Sequence, residues 1–157
     1  MIRAYQMIGY TPDKDYRYIE TNRALRAMHP AAVDTVISEI RNAGGEVTRH
    51  LETDLLHINQ EFSASVVIVR CHSTPNGARR WKVRLDYGLR PDITVAVRMT
   101  SDNQTVHDYY LLPWLDVGTL PSLRLAPENG VLLDAYRFDT LDPFFDLTRR
   151  TAVRAAA

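Results

Sequence analysis

Four short runs in the middle of the chain alternate apolar and polar residues with the period of a β-strand. They cover residues 54–59, 65–73, 80–86 and 92–100. Because successive strand residues point to opposite faces of a sheet, each run divides into two faces by parity. The apolar face of the last three runs predicts a core, and its members are Val67, Val69, Cys71, Trp81, Val83, Leu85, Ile93, Val95, Val97 and Met99. Consecutive strands usually pair, so the runs predict a meander over residues 54–100.

The opposite face of the predicted meander is basic. Its charged members are Arg70, Arg80, Lys82, Arg84 and Arg98. Unpaired charges are very costly to bury, so we expect this face either to meet acidic partners or to contact an anion. Residues 128–146 supply acids, because they contain Glu128, Asp134, Asp139, Asp142 and Asp146 against the single cation Arg137.

Helices are predicted on both sides of the strand runs. Residues 15–28 and 31–42 place apolar side chains at helical spacing, and Pro30 between them fits the first turn of the second helix. Gly44 and Gly45 provide the signal that ends that helix.

The segments outside the central runs complete the predicted architecture. Residues 1–10 form a candidate strand, and residues 120–150 form a short C-terminal helical cap with a turn at 132–136 and a helix at 141–147. We therefore predict one domain over residues 1–157, of class α+β. Its central sheet is mixed and largely antiparallel, and N-terminal helices pack on it.

Composition excludes several classes of function. The formal net charge is zero, so the whole molecule is not a strongly basic nucleic-acid binder. Cys71 is the only cysteine, which excludes an intrachain disulfide and favours a reducing, cytoplasmic location. The chain has no long apolar run, so no membrane partner is expected. The sequence also lacks phosphate-binding glycine motifs and the Gly-x-Ser-x-Gly motif of hydrolases.

One order of elements carries a specific resemblance. A helix, a glycine, a strand with Asp54, a polar strand through Arg70 and a strand with Trp81 follow one another within residues 30–115. The last strand of this region ends in Tyr109-Tyr110-Leu111-Leu112-Pro113. This order resembles the PD-(D/E)xK nuclease superfamily, particularly its compact members associated with mobile introns.

The resemblance implies a DNA-interacting protein of a mobile-element or DNA-processing system, and a metal-dependent DNA endonuclease if the site is active. Asp54 would then be the metal ligand for Mg²⁺, with Arg70 and Lys82 as the catalytic cations. The chain departs from the pattern at two positions. Ile68 stands where a second acid is expected, and Arg70 stands at the lysine position, although arginine cannot act as a base. The resemblance therefore leaves open whether the site is inactive or rearranged, with a second acid drawn from Glu52, Glu61 or Asp34.

Two functions from different classes remain open on the sequence. In the first, Arg70, Arg80, Lys82, Arg84 and Arg98 contact the phosphates of duplex DNA. In the second, the basic face pairs with acidic segments within residues 134–146, inside the chain or in a homo-oligomer or protein complex. An enzyme that acts on a small anionic substrate is a third alternative, without a supporting motif. The exposure and the partners of Arg70 are the observations that separate the first two.

Overall fold

The computed structural model describes residues 12–85, 88–118 and 120–151, with side chains described from residue 18 onward. The strand predicted at residues 1–10 lies outside the described residues. The α+β class is confirmed, as are a largely antiparallel sheet, an N-terminal helix and a short C-terminal helix. None of the helices in the described ranges has the length and apolar character needed to cross a membrane.

A single long helix, α1 (Pro12–Asn42), replaces the two N-terminal helices that were predicted. Pro30 lies inside α1 and its side chain is exposed. A proline in a helix interior removes one backbone hydrogen bond. The helix continues through it because buried residues on both sides, Leu25 before it and Val33 and Val36 after it, pack in the same core. Burial of the apolar face therefore outweighs the local cost of the proline.

The end of α1 follows the glycine signal. The Gly44 backbone N–H donates to the Arg41 oxygen, and the Gly45 N–H donates to the Ile40 oxygen. This pair of bonds is the Schellman arrangement, which needs a left-handed residue at the first position past the helix. Gly44 provides it with a φ of +85°.

The strands form two sheets rather than one meander. In chain order they are β1 (Val47–Arg49), β2 (Leu56–Ile58), β3 (Phe62–Val69), β4 (Cys71–Ser73), β5 (Arg79–Arg84), β6 (Ile93–Met99), β7 (Val106–Pro113), β8 (Ser122–Leu125) and β9 (Arg137–Phe138). Within the described residues, one sheet has the order β1-β2-β3-β6-β7-β9, and the other has the order β4-β5-β8.

The predicted antiparallel pairings of the first run with the second (β2 with β3) and of the second with the third (β4 with β5) are confirmed. The predicted pairing of the third run with the fourth is wrong. β3 pairs with β6 in parallel, whereas the other pairings between described strands are antiparallel. At Arg70 the chain leaves β3 and enters β4, so β4 and β5 belong to the second sheet. The run 65–73 is therefore divided between two sheets, which a uniform alternation along the sequence does not reveal.

Two buried clusters show that the six-stranded sheet is covered on both faces. One cluster joins α1 residues such as Val36 to Val66, Val95 and Val97. The other joins Trp81 and Val83 of β5 to Ala96, Tyr110 and Leu112 of the six-stranded sheet. The layers are therefore α1, the six-stranded sheet and the three-stranded sheet. As a result, both parities of β6 are buried, whereas the outer face of the three-stranded sheet is left to solvent.

Three short helices complete the described chain: α2 (Trp114–Val117), α3 (Val131–Asp134) and α4 (Asp142–Thr148). In α4, Phe144 is fully buried in the same cluster as α1. The Arg150 backbone N–H donates to the Ala43 oxygen just past the end of α1. The end of the described chain is thus held against the end of the first helix.

Candidate nucleic-acid interface

The outer face of the three-stranded sheet is built by strict alternation along β5. Trp81 and Val83 are fully buried and point to the core, whereas Lys82 and Arg84 are exposed. Arg80 has the same parity as these cations and is half-buried. Three predicted DNA-contacting residues, Arg80, Lys82 and Arg84, therefore lie on one outward face.

A further cation, Arg124 of β8, joins this face and was not predicted. Arg124 is exposed and lies directly opposite Lys82 in the antiparallel register. The signal for it was present in the sequence, because Ser122-Leu123-Arg124-Leu125 alternates polar and apolar residues. On β4, His72 lies opposite Arg80. We call the set His72, Arg80, Lys82, Arg84 and Arg124 the basic sheet face.

The basic sheet face places like charges opposite one another. Lys82 and Arg124 are a directly opposed cross-strand pair, and like charges in such pairs are destabilising. In the described part of the chain, no ion pair is formed by Arg80, Lys82, Arg84 or Arg124. A hollow of about 450 Å³ lies on this face, between β4, β5 and β8, and extends to Asn129. Because an anion would neutralise these charges, the arrangement favours the binding of an anionic ligand.

Arg98 does not belong to the exposed cations, which corrects the prediction. Its side chain is fully buried, and it donates two hydrogen bonds of 2.6 Å to the Asp108 carboxylate. The guanidinium carbon also lies 4.3 Å from the Trp81 ring centre and 4.8 Å from that of Tyr110. Parity assigned Arg98 to a face correctly, but the three-stranded sheet covers that face, so Arg98 cannot meet a phosphate.

The acidic C-terminal segment does not neutralise the basic sheet face. Asp134 accepts hydrogen bonds from the Tyr110 hydroxyl at 2.5 Å and from the Asn129 backbone N–H at 3.1 Å. Burial alone would raise the pKa of Asp134, but these hydrogen bonds lower it below its ordinary value. Burial and the bond to Asp134 raise the pKa of Tyr110 to about 12. Asp146 pairs with Arg149 at 3.3 Å. Over the described ranges, no ion pair links residues 134–146 to the basic sheet face.

Arg70 lies away from this face, in a groove between α1 and the end of β3. Its side chain is half-buried, and the guanidinium carbon lies 4.3 Å from the centre of the Tyr18 ring. Arg84 reaches the same groove from β5, so this residue lies on both surfaces. Arg70 therefore remains beside solvent without a carboxylate partner in the described chain, which favours an anion over an internal ion pair.

Asp54 is occupied by protein partners. The Arg49 side-chain Nε donates a 2.8 Å hydrogen bond to its carboxylate, and His29 Nδ1 lies 3.8 Å from it. The hydrogen bond to Asp54 raises the pKa of Arg49 above its ordinary value. The same guanidinium bonds to Asp34 at 3.0 Å. Asp54 also has a φ of +61°, which fits a turn residue rather than a strand residue.

The described residues do not fit a magnesium site at Asp54. Mg²⁺ prefers several oxygen ligands, and no group of three or more His, Cys, Asp or Glu side chains is close enough to hold a metal in the described chain. Of the alternative acids, Glu61 pairs with Arg150 and Asp34 pairs with Arg49. Ile68 packs against the core beside α1.

The three predicted catalytic residues are not gathered into one cluster. Arg70 lines the groove beside α1, and Asp54 lies behind His29 of the same groove. Lys82 lies instead on the basic sheet face. The two predicted catalytic cations therefore lie on different surfaces, and the predicted acid is bonded to Arg49 instead.

No protein-family model and no curated protein sequence matches the chain. Among solved structures, the chain is similar to a bacterial homing endonuclease, I-Ssp6803I, with a TM-score of 0.44 and 16% sequence identity. The match covers 73% of this chain and 86% of the other. A likeness of this extent transfers neither residues nor activity, so the charges and contacts described above are what support a function.

Proposed function

We propose that this protein binds duplex DNA through the basic sheet face. The observation that carries the proposal is that Arg80, Lys82, Arg84 and Arg124 share one outward face and form no ion pair with a described carboxylate. Arginine and lysine on such a face neutralise phosphates and release counterions, which supplies most of the affinity of non-specific DNA binding.

The spacing of the cations suits a phosphate backbone. Alternate residues of a strand are about 6.6 Å apart, so Arg80, Lys82 and Arg84 span about 13 Å along β5. Arg124 adds a cation on the neighbouring strand, about 5 Å to the side. Successive phosphates of one DNA strand rise by about 3.4 Å along the helix axis, so this row can meet several phosphates at once.

The composition of the face favours a duplex over a single strand. Proteins that hold single strands usually stack bases on exposed aromatic side chains. The aromatic residue of β5, Trp81, is fully buried and donates its indole N–H to the Met99 oxygen. Apart from His72, the basic sheet face consists of cations, with no phenylalanine, tyrosine or tryptophan among its members, which supports binding to the backbone without preference for sequence.

The proposed function contains no cleavage step. Asp54, the residue that would hold a metal, is hydrogen-bonded to Arg49, and it belongs to no group of three or more possible metal ligands in the described chain. When plasmid DNA is incubated with Mg²⁺ or Mn²⁺, we expect no nicking that depends on Asp54. Nicking by the native protein that is lost in Asp54→Ala would add a nuclease activity to the proposed binding.

Fluorescence anisotropy with a labelled duplex tests the proposal across a salt series. With about four phosphate contacts, the logarithm of the binding constant should fall with the logarithm of salt with a slope of about −3 to −4. The double variant Lys82→Gln/Arg124→Gln should weaken binding and reduce that slope by about 2.

The control is Arg41→Gln, which removes an exposed arginine in the last turn of α1. This variant should leave the slope unchanged. Absence of duplex binding at low salt, or an equal loss in Arg41→Gln and in the double variant, would overturn the proposed function. If light scattering showed a homo-oligomer that dissociates with salt and binds no duplex, the protein-interaction alternative would replace it.

A further inference from the structure

The groove between α1 and the end of β3 is a second basic surface. We call it the α1–β3 groove, and it encloses about 510 Å³. Its polar lining consists of Tyr18, Asn22, Arg26, His29, Arg70 and Arg84. Small-molecule sites commonly have volumes of about 300–1,000 Å³, so the groove is large enough for a ligand of nucleotide size.

Three guanidinium groups line the groove, and none of its described lining residues carries a carboxylate. In the described chain, Arg26, Arg70 and Arg84 form neither an ion pair nor a side-chain hydrogen bond. Asp54 lies 3.8 Å from His29 Nδ1 but is not part of the described lining. The positive charge of the groove is therefore available to a ligand.

Protein contacts hold two of the polar groups in place. The Arg70 guanidinium lies over the Tyr18 ring, a contact that leaves its N–H groups free to bond an oxyanion. His29 Nε2 lies 2.8 Å from the Val66 backbone oxygen and donates to it. The imidazole is thus anchored to β3, which ties the wall of α1 to the floor of the groove.

We propose that the α1–β3 groove binds a phosphomonoester. Three arginines around one hollow match a group with two negative charges and three free oxygens, because arginine offers paired donors to each pair of phosphate oxygens. An internal phosphodiester carries one charge and fits better along the open row of the basic sheet face. Asn22 adds a neutral donor for the remaining oxygens or for an attached sugar.

Arg84 lies on both surfaces, so a duplex on the basic sheet face could place its end in the groove. In that form the inference rests on the proposed function, and the ligand is the terminal phosphate of a DNA strand. A free nucleoside monophosphate has the same chemistry and needs no duplex binding. The two sources are separated by the probes below.

The first probe is a duplex with a phosphate at the 5′ or the 3′ end, compared with the same duplex ending in hydroxyl groups. We expect at least one phosphorylated duplex to bind about tenfold more tightly, as loss of a charge-assisted bidentate contact would predict. Arg26→Gln and Arg70→Gln should abolish this preference. Lys82→Gln should weaken all the duplexes by the same factor, because it lies only on the basic sheet face.

The second probe is isothermal titration with a nucleoside 5′-monophosphate and with inorganic phosphate. We expect saturable binding that is lost in Arg26→Gln and unaffected in Lys82→Gln. Arg26 is exposed on α1, so its variant should fold even if the Arg70 variant does not. Binding of the monophosphate together with no duplex binding would support the groove while overturning the proposed function.

A preference shown only by the duplexes would identify a strand end as the ligand, and binding shown only by the monophosphate would identify a free nucleotide. The inference is overturned if neither probe shows a phosphate effect that depends on Arg26. It is also overturned if Lys82→Gln removes the preference as completely as Arg26→Gln does.

Discussion

Arg84 and Arg98 have the same place in the alternation of their strands, yet their surroundings differ. Arg84 lies on the open side of the three-stranded sheet, beside the α1–β3 groove. Arg98 lies between the two sheets, where Asp108 neutralises it and the Trp81 and Tyr110 rings flank it. A buried arginine needs such a partner, because the cost of removing its charge from water is several kcal/mol.

The Arg98–Asp108 pair should therefore matter to stability rather than to binding. Arg98→Met removes both hydrogen bonds from the guanidinium to Asp108, which is 4% exposed, and leaves His107 Nε2 at 3.7 Å beside the carboxylate. We expect the free energy of unfolding, measured with urea, to fall by about 3–5 kcal/mol, as when one partner of a buried pair is removed. The double variant Arg98→Met/Asp108→Leu should recover most of that loss, because no buried charge remains.

The matched control is Arg149→Gln, which removes one partner of an exposed pair and should change stability little. Whatever fraction of Arg98→Met remains folded should bind duplex DNA with the salt slope of the native protein. A reduced slope in that variant would show that Arg98 acts in the interface, contrary to its burial.

Among the secondary-structure elements, β5 and β8 show that cations suited to ligand binding can lower the stability of the free protein. Lys82 and Arg124 face each other across the two strands without an acid between them. Their side chains begin about 5 Å apart, and a like-charge pair at that separation destabilises a sheet by a few tenths to about 1 kcal/mol. A bound phosphate neutralises this repulsion, so the free energy that the pair costs the free protein is recovered when the ligand binds.

Arg124→Gln should separate these two effects. We expect the free energy of unfolding at low salt to rise by a few tenths to about 1 kcal/mol, because the repulsion with Lys82 is removed. The gain should shrink in high salt, where exposed charges are screened. Duplex binding should weaken in the same variant.

Urea denaturation at two salt concentrations measures the first effect, and anisotropy measures the second. A gain in stability that is equal at both concentrations would indicate an effect of strand propensity rather than of charge. A variant that lost stability at low salt would show that Arg124 is not repelled in the free protein.

The helix α1 shows that tertiary packing can override a local sequence signal. Proline usually ends a helix or begins one, and Pro30 was placed at the start of a second helix on that basis. In the fold, the two apolar stretches around Pro30 pack in the same core, so one continuous helix spans the proline. Tertiary burial decided the length of the helix, while the local signal at Gly44 correctly predicted its end.

Over the whole molecule, the C-terminal end of the described chain meets the end of α1 at its two glycines. A Cβ atom on Gly44 would lie 1.9 Å from the Arg150 backbone oxygen, and one on Gly45 would lie 2.7 Å from that of Thr148. The side-chain amide of Asn59 also donates to the Thr148 oxygen at 3.1 Å. Close approach of backbones at this point holds α4 and the residues after it against the six-stranded sheet.

Gly44→Ala tests this contact, and Gly77→Ala is its control. Both glycines have a φ near +84°, but nothing lies within 4 Å of a Cβ on Gly77. The left-handed backbone should cost each variant about 1–2 kcal/mol of unfolding free energy. Gly44→Ala should lose clearly more, because Arg150 must also move. Equal losses in urea denaturation would show that the chain after α4 is not held at Gly44.

Features that depend only on residues close together in the chain could be predicted from the sequence. Alternation in residues 80–84 predicted which side chains of β5 point outward, and Gly44 predicted the end of α1. The α+β class followed from the same periodicities. These features are local, because backbone geometry and side-chain direction repeat every few residues.

Which strand faces are buried, and which distant residues come into contact, depends on the tertiary structure and is not visible in the sequence. Alternation divides a strand into two faces, but whether a face is buried depends on a layer that comes from elsewhere in the chain. For that reason Arg98 was placed with the exposed cations, and the pairing of β3 with β6 was not foreseen. The opposition of Arg124 to Lys82, and the meeting of Arg70 and Arg84 with α1, likewise exist only because distant segments pack together.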